Sequence, residues 1–125
     1  MSHWEILNWC KSKEFNNPND IAALLFTFTP DLEELDSWDI EEESYNIYHI
    51  NDIRYEILSE DEVKEEIEQY KSLVESDYLD EVPENLQEYI NWKQFWIDNP
   101  ITPKEYLPNY STILFRGVLY YYNEI

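Results

Sequence analysis

The sequence predicts an α+β fold, a small antiparallel hairpin sheet packed with about four helices, the central one strongly acidic. Three observations predict it. Tyr45 to Ile50 and Ile53 to Leu58 are rich in Tyr and Ile and are separated by Asn51-Asp52, a pair that tolerates the positive φ of a tight hairpin turn. Ser59-Glu60-Asp61-Glu62 reads as a capping box, with Ser59 as N-cap and Glu62 reaching back from the third helical position. Thr112 to Phe115 and Val118 to Tyr122 read as two more strands around Arg116-Gly117. The 125 residues fit a single domain, 1–125, with one core.

Taken in order, Ser2 caps a first helix carrying Trp4, Leu7 and Cys10 or Lys11 on one face, ended by Asn16-Asn17-Pro18. Asn19 or Asp20 opens a second. Its run Ile21 to Phe26 is more apolar than one helical face requires, so it should be a core helix, with Pro30 as its stop. In the second strand Ile53, Tyr55 and Ile57 should face inward while Arg54 and Glu56 stay wet. The helix from Glu60 to about Ser76 places Val63, Ile67, Tyr70 and Val74 on one face and its acids on the others. Pro83 starts another helix, through Leu86, Tyr89, Ile90, Phe95 and Trp96, that runs to Asn99-Pro100; Pro100, Pro103 and Pro108 make 99–109 a loop.

Charge is the main functional clue. With 28 Asp+Glu against 8 Lys+Arg the net charge is -20, whereas small domains usually carry a magnitude of about 2 to 8. Residues 31–88 hold 22 of the acids and only 3 bases, Arg54, Lys64 and Lys71. Aromatics at 17% set the chain apart from disordered acidic tails. Its self-repulsion should ease as salt screens charges beyond about 10 Å at 0.1 M, so stability should rise with salt. Nucleic acid and anionic membranes are bound by Lys and Arg, so neither is expected as a partner; the partner should be basic. The N-terminus lacks the basic start and apolar run of a signal peptide, and no apolar stretch approaches about 18 residues, which together predict a cytoplasmic protein.

Catalytic constellations are thin. The single glycine, Gly117, excludes Gly-rich phosphate loops and a Gly-x-Ser-x-Gly elbow. His3 and His49 stand 46 residues apart and Cys10 is the only cysteine, so neither a zinc site nor a disulfide is expected. The run from Asp31 to Glu43 resembles a calcium loop only in its acids: counted from Asp31, the sixth position is Asp36 where the sharp turn needs Gly. Among 28 acids some pair always lies at a distance suited to a two-carboxylate hydrolase, which makes that signal uninformative. No cofactor and no metal are expected, and the chain is read as a non-enzyme.

The informative arrangement is the acidic helix. Residues 60–81 hold 10 acids and 2 lysines; as a helix of about 33 Å at about 1.5 Å per residue, that is roughly one net charge per 4 Å. One DNA strand carries about one per 3.4 Å of axis. The segment 31–43, with 8 acids and no base, supplies a second row. A solvated acidic face of a merely soluble or halotolerant protein would look similar. Against it stands the missing countercharge: a solubility-driven surface mixes signs, because Glu and Lys four apart stabilise a helix by about 0.2–0.5 kcal/mol and like charges cost a similar amount. The candidate partner-binding carboxylates are Asp31, Glu33, Glu34, Asp36, Asp39, Glu41, Glu42 and Glu43 in this first segment, read as a loop region. On the helix they are Glu62, Glu65, Glu66, Glu68, Glu75 and Asp77, and Trp38 is a candidate aromatic anchor.

Residues 79–98 carry Pro83, Glu84, Leu86, Tyr89, Phe95 and Asp98 in a Pro-Glu-x-Leu-x-x-Tyr run leading toward an aromatic and a terminal Asp. In this the sequence resembles the C-terminal part of the ArdA-type antirestriction proteins, with Trp92 where Tyr is usual and Ile97 in place of Arg. The resemblance implies an elongated homodimer encoded by a mobile element, occupying the DNA-binding channel of a type I restriction–modification enzyme. The leading expectation is a DNA mimic that blocks a basic DNA-binding host-defence protein, a restriction enzyme or a CRISPR effector. The alternative is an acidic immunity or antitoxin protein that neutralises a basic nuclease toxin.

Overall fold

The computed structural model describes residues 2–125. Its fold is α+β, as the sequence predicts, and divides into two compact units, residues 1–60 with 109–125, and residues 61–108.

The first unit begins with α1 (His3–Ser12), capped by the Ser2 hydroxyl, which accepts from the Glu5 amide at 3.2 Å. Its buried face is Ile6, Leu7 and Cys10. Trp4, expected on that face, is 56% exposed, and its indole is covered by the Arg116 guanidinium at 4.0 Å. The chain then enters α2 (Pro18–Phe26) with Asn17 at the cap and Pro18 in the first turn, not at Asn19 or Asp20. Proline's fixed φ and missing N–H suit that position. Ile21 to Leu25 are fully buried, which makes this the expected core helix. It ends at Phe26, ahead of Pro30, where Thr27 turns its hydroxyl back to the Leu24 carbonyl at 2.6 Å.

A one-turn α3 (Leu32–Leu35) leads into a five-stranded antiparallel sheet of β1 (Ile40–Ser44), β2 (Ile47–Ile50), β3 (Ile53–Ser59), β4 (Ser111–Phe115) and β5 (Val118–Glu124), ordered β1-β2-β3-β5-β4. Asn51 and Asp52 both take positive φ, 50° and 69°, as the hairpin reading requires. Arg116 and Gly117 do the same, at 51° and 80°, between β4 and β5. One face of the sheet presents Tyr48, Ile50, Ile57, Phe115 and Tyr120 to α1 and α2, and these residues form one apolar core. The expected wet face of β3 is only partly wet. Leu58, opposite Tyr121, is 2% exposed, and Glu56 accepts a hydrogen bond from the Tyr110 hydroxyl. Ile53, next to the turn, is 40% exposed.

The second unit is built on α4, which runs unbroken from Glu60 to Glu81, one turn past the expected end at Ser76. Val63 and Ile67 are buried, but the apolar stripe opens toward the C-terminus, where Tyr70 is 44% and Leu73 66% exposed. Past the helix end Gln87 donates from Nε2 to the Leu79 and Val82 carbonyls at 2.9 and 3.1 Å, adding to the Val82 amide that already bonds the Leu79 carbonyl at 3.2 Å. The single helix expected from Pro83 to Asn99 is instead two, α5 (Glu84–Gln87) and α6 (Trp92–Asp98). The second is newly capped by Asn91, whose Oδ1 accepts from the Gln94 amide at 3.1 Å. A one-turn α7 (Pro103–Tyr106), capped by Thr102, interrupts the expected 99–109 loop. Tyr78, Trp92, Phe95 and Trp96 form a chain of edge-to-face rings with centroids 4.8 to 6.3 Å apart, a geometry that aligns ring edges with negative ring faces. Among the described residues no helix is long and apolar enough to cross a membrane.

Candidate functional site

The candidate carboxylates divide between the two units. Asp31 to Glu43 lie in the first, where 15 acids face 4 bases, and the α4 acids from Asp61 onward lie in the second, where 13 face 4. Each unit is therefore acidic by itself.

In the first unit the run 31–43, expected to be a loop, is α3 followed by β1. The strand escapes a propensity reading because Glu41, Glu42 and Glu43 are poor strand formers side by side. At the rim of the sheet the same charges discourage pairing with a foreign strand. Several of these acids have structural work. Glu34 accepts from the Asp31 amide at 3.4 Å, holding the entry to α3. Glu42 accepts from the Asn16 amide at 2.9 Å and fixes the exit of α1. Asp36 accepts the Trp9 indole N–H at 2.9 Å and lies 3.8 Å from the Lys13 ammonium.

Glu43 is the most fully countered. The pairing register places His49 opposite Arg54, and a bulge between Glu42 and Ser44 turns Glu43 toward both. Arg54 donates to it from Nε and Nη2 at 2.6 to 3.2 Å, and His49 Nε2 lies 3.0 Å away. The Arg54 hydrogen bonds, followed by that of His49, hold the Glu43 carboxyl below the ordinary glutamate value. Glu43 is thus spent within the fold. The two-residue turn fixes the His49–Arg54 pairing, but Glu43 reaches it only through the β1–β2 pairing and its bulge, which the sequence did not reveal. Glu33, Asp39 and Glu41 are exposed, and their side chains make no ion pair or hydrogen bond among the described residues.

On α4, Glu68 pairs with Lys71 at 3.3 Å. Glu75 accepts the Trp96 indole N–H at 2.8 Å, and Lys71 lies over the same indole at 5.4 Å. These contacts tie α6 to α4. Glu62 and Glu66 are partly covered, whereas Glu65 and Asp77 are exposed and make no side-chain ion pair among the described residues. What the charge reading missed is apolar: Tyr89 is 76%, Leu73 66% and Ile97 61% exposed on this same unit. Periodicity placed Tyr89 on the apolar face of an expected helix, while Leu73 fell outside the face assigned to α4 and drew no attention.

Cys10 is fully buried, and burial pushes its thiol up to about 12, which makes it inert as a nucleophile at neutral pH. Among the described residues no group of three or more His, Cys, Asp or Glu is placed to hold a metal ion. In comparisons with known proteins, no family model matches the chain and neither a curated protein nor a solved structure does.

Proposed function

We propose that this chain is a non-enzymatic inhibitor that mimics duplex DNA and blocks the DNA-binding surface of a host-defence protein in the cytoplasm of the host cell. The observation that carries the reading is α4, an unbroken helix of 22 residues whose 10 acids face only 2 lysines. That is a net charge every 4 Å or so along about 33 Å, comparable with one DNA strand at about 3.4 Å per charge. The helix holds these carboxylates at set positions around and along its length, so the acids on any one face meet a partner as fixed negative charges, as phosphates do. Carboxylates such as Glu65 and Asp77 take the phosphate role, and Glu33, Asp39 and Glu41 do so on the first unit. Such a field steers encounter with a basic surface and raises on-rates by about 10–1000-fold at low salt.

The resemblance of residues 79–98 to ArdA-type proteins makes a type I restriction enzyme the first target to test, and CRISPR effectors the next. The direct experiment adds the chain to each enzyme bound to labelled duplex DNA. Mimicry predicts release of DNA in proportion to added chain, and release that weakens steeply as salt rises. Undisturbed DNA binding across several such enzymes would count against it.

The exposed Leu73, Tyr89 and Ile97 favour a second reading, an immunity or antitoxin protein shaped to one basic nuclease toxin. The two differ in breadth. A mimic competes with DNA on unrelated proteins, whereas an immunity protein binds one cognate toxin and persists in high salt.

A further inference from the structure

Between α1 and the α3–β1 segment the first unit has an open cleft of about 270 Å³. The rings of Trp9, Phe15 and Trp38 wall it, and Lys13 and Asp36 stand at its edge. The Asp36 carboxylate is held in place by the Trp9 indole N–H at 2.9 Å, a bond that fixes the aromatic wall and the charge together. The cleft already receives a cation from its own chain. Lys13 Nζ lies 5.3 Å from the Trp9 ring centroid and 3.8 Å from Asp36 Oδ1, while Asp36 Oδ2 makes no hydrogen bond among the described residues.

We propose that this cleft is a receptor for an arginine side chain of the partner, which displaces Lys13, packs over the Trp9 ring and bonds the Asp36 carboxylate. Aromatic faces attract cations through their quadrupole. A planar guanidinium, weakly hydrated and able to donate two parallel bonds to one carboxylate, suits such a slot better than an ammonium does. Charge complementarity selects the occupant: segment 31–43 holds 8 acids and no base, and DNA-binding surfaces are rich in arginine. An apolar side chain would make no use of the Asp36 carboxylate at the edge of the cleft. The proposal rests on the reading of the chain as a ligand of basic DNA-binding proteins, and it supplies an anchor of defined chemistry beside a diffuse acidic field.

The test titrates N-acetyl-arginine amide into the intact protein and follows the Trp9 indole N–H by NMR, with the uncharged citrulline amide as control. The expected result is a saturable shift in the millimolar range with arginine and none with citrulline. Lys13→Ala, which removes the resident cation from a half-exposed position, should tighten binding about fivefold. Asp36→Asn, isosteric and exposed, should weaken it about tenfold without unfolding the chain. Equal shifts with arginine and citrulline, or unchanged binding in Lys13→Ala, would overturn the proposal. The probe needs no target protein, so a failed titration with DNA competition intact removes the cleft alone. A saturable titration with no DNA competition keeps the cleft and removes the mimic.

Discussion

Glu65 offers the sharpest test of whether the acids of α4 are retained against the interest of the fold. It is exposed, and at three- and four-residue spacings it meets Asp61, Glu62 and Glu68, all acidic. Lys64 and Lys71 stand at neither spacing from it. At about 0.2–0.5 kcal/mol per like-charged pair, Glu65→Gln should stabilise the protein by about 0.6–1.5 kcal/mol at low salt, and Glu65→Lys, which turns the three repulsions into attractions, by about twice that. For a chain of this size Glu65→Gln should raise Tm by about 2–5 °C. Thermal unfolding followed by far-ultraviolet circular dichroism, at low salt and at 1 M NaCl, reads this directly. The gain should be largest at low salt and nearly absent at 1 M, where the screening length is about 3 Å. A Glu65→Gln protein no more stable than the parent at low salt would refute the reasoning, because the acidic row would then cost the fold nothing and need no binding role to explain it.

Three further outcomes follow from named contacts. The lowered pKa of Glu43 adds stability above its ordinary value of 4.5, and this is lost as pH falls through the lower folded-state value; Glu43→Gln should therefore be less stable than the parent at pH 7 and equal to it at strongly acid pH, and an equal deficit at both would count against the Arg54 and His49 pairing. Cys10 should resist a thiol reagent in the native protein and react at once in denaturant, so full native labelling within seconds would show that the α1 face opens readily. At Gly117 (φ +80°) an added Cβ would meet nothing within 4 Å, so Gly117→Ala should cost about 1 kcal/mol by backbone strain alone and Gly117→Asn clearly less, as chemical denaturation can measure.

Local chemistry made much of the fold legible. Asn51-Asp52 fixed the β2–β3 register, Ser2 placed the first helix, and the Ile21–Leu25 run marked the buried helix, because each of these signals acts within a few residues. What escaped depended on distant partners. β1 reads as loop because three glutamates outweigh propensity, and it becomes a strand only through pairing with β2. The break between α5 and α6 arises where Gln87 turns to the end of α4 and Asn91 caps a new helix, a choice that helical periodicity through Leu86 and Tyr89 conceals. For the candidate site the acids along α4 were readable, since they need only the helix and its length. Which acids are spent inside the fold was not: Asp36 and Glu75 are taken by indoles 27 and 21 residues away in sequence. The Trp9–Asp36 cleft was hidden for the same reason.

The central claim is that carboxylates occupy the place of phosphates. Its most direct measurement is affinity for one captured DNA-binding target as a function of salt, made for this chain, for its Glu65→Gln and Asp77→Asn variants, and for duplex DNA. The account predicts a steep negative slope of log K against log salt, a shallower slope in each variant, and mutually exclusive binding of chain and duplex to the target. Binding that is flat with salt, indifferent to both substitutions and simultaneous with DNA would contradict it.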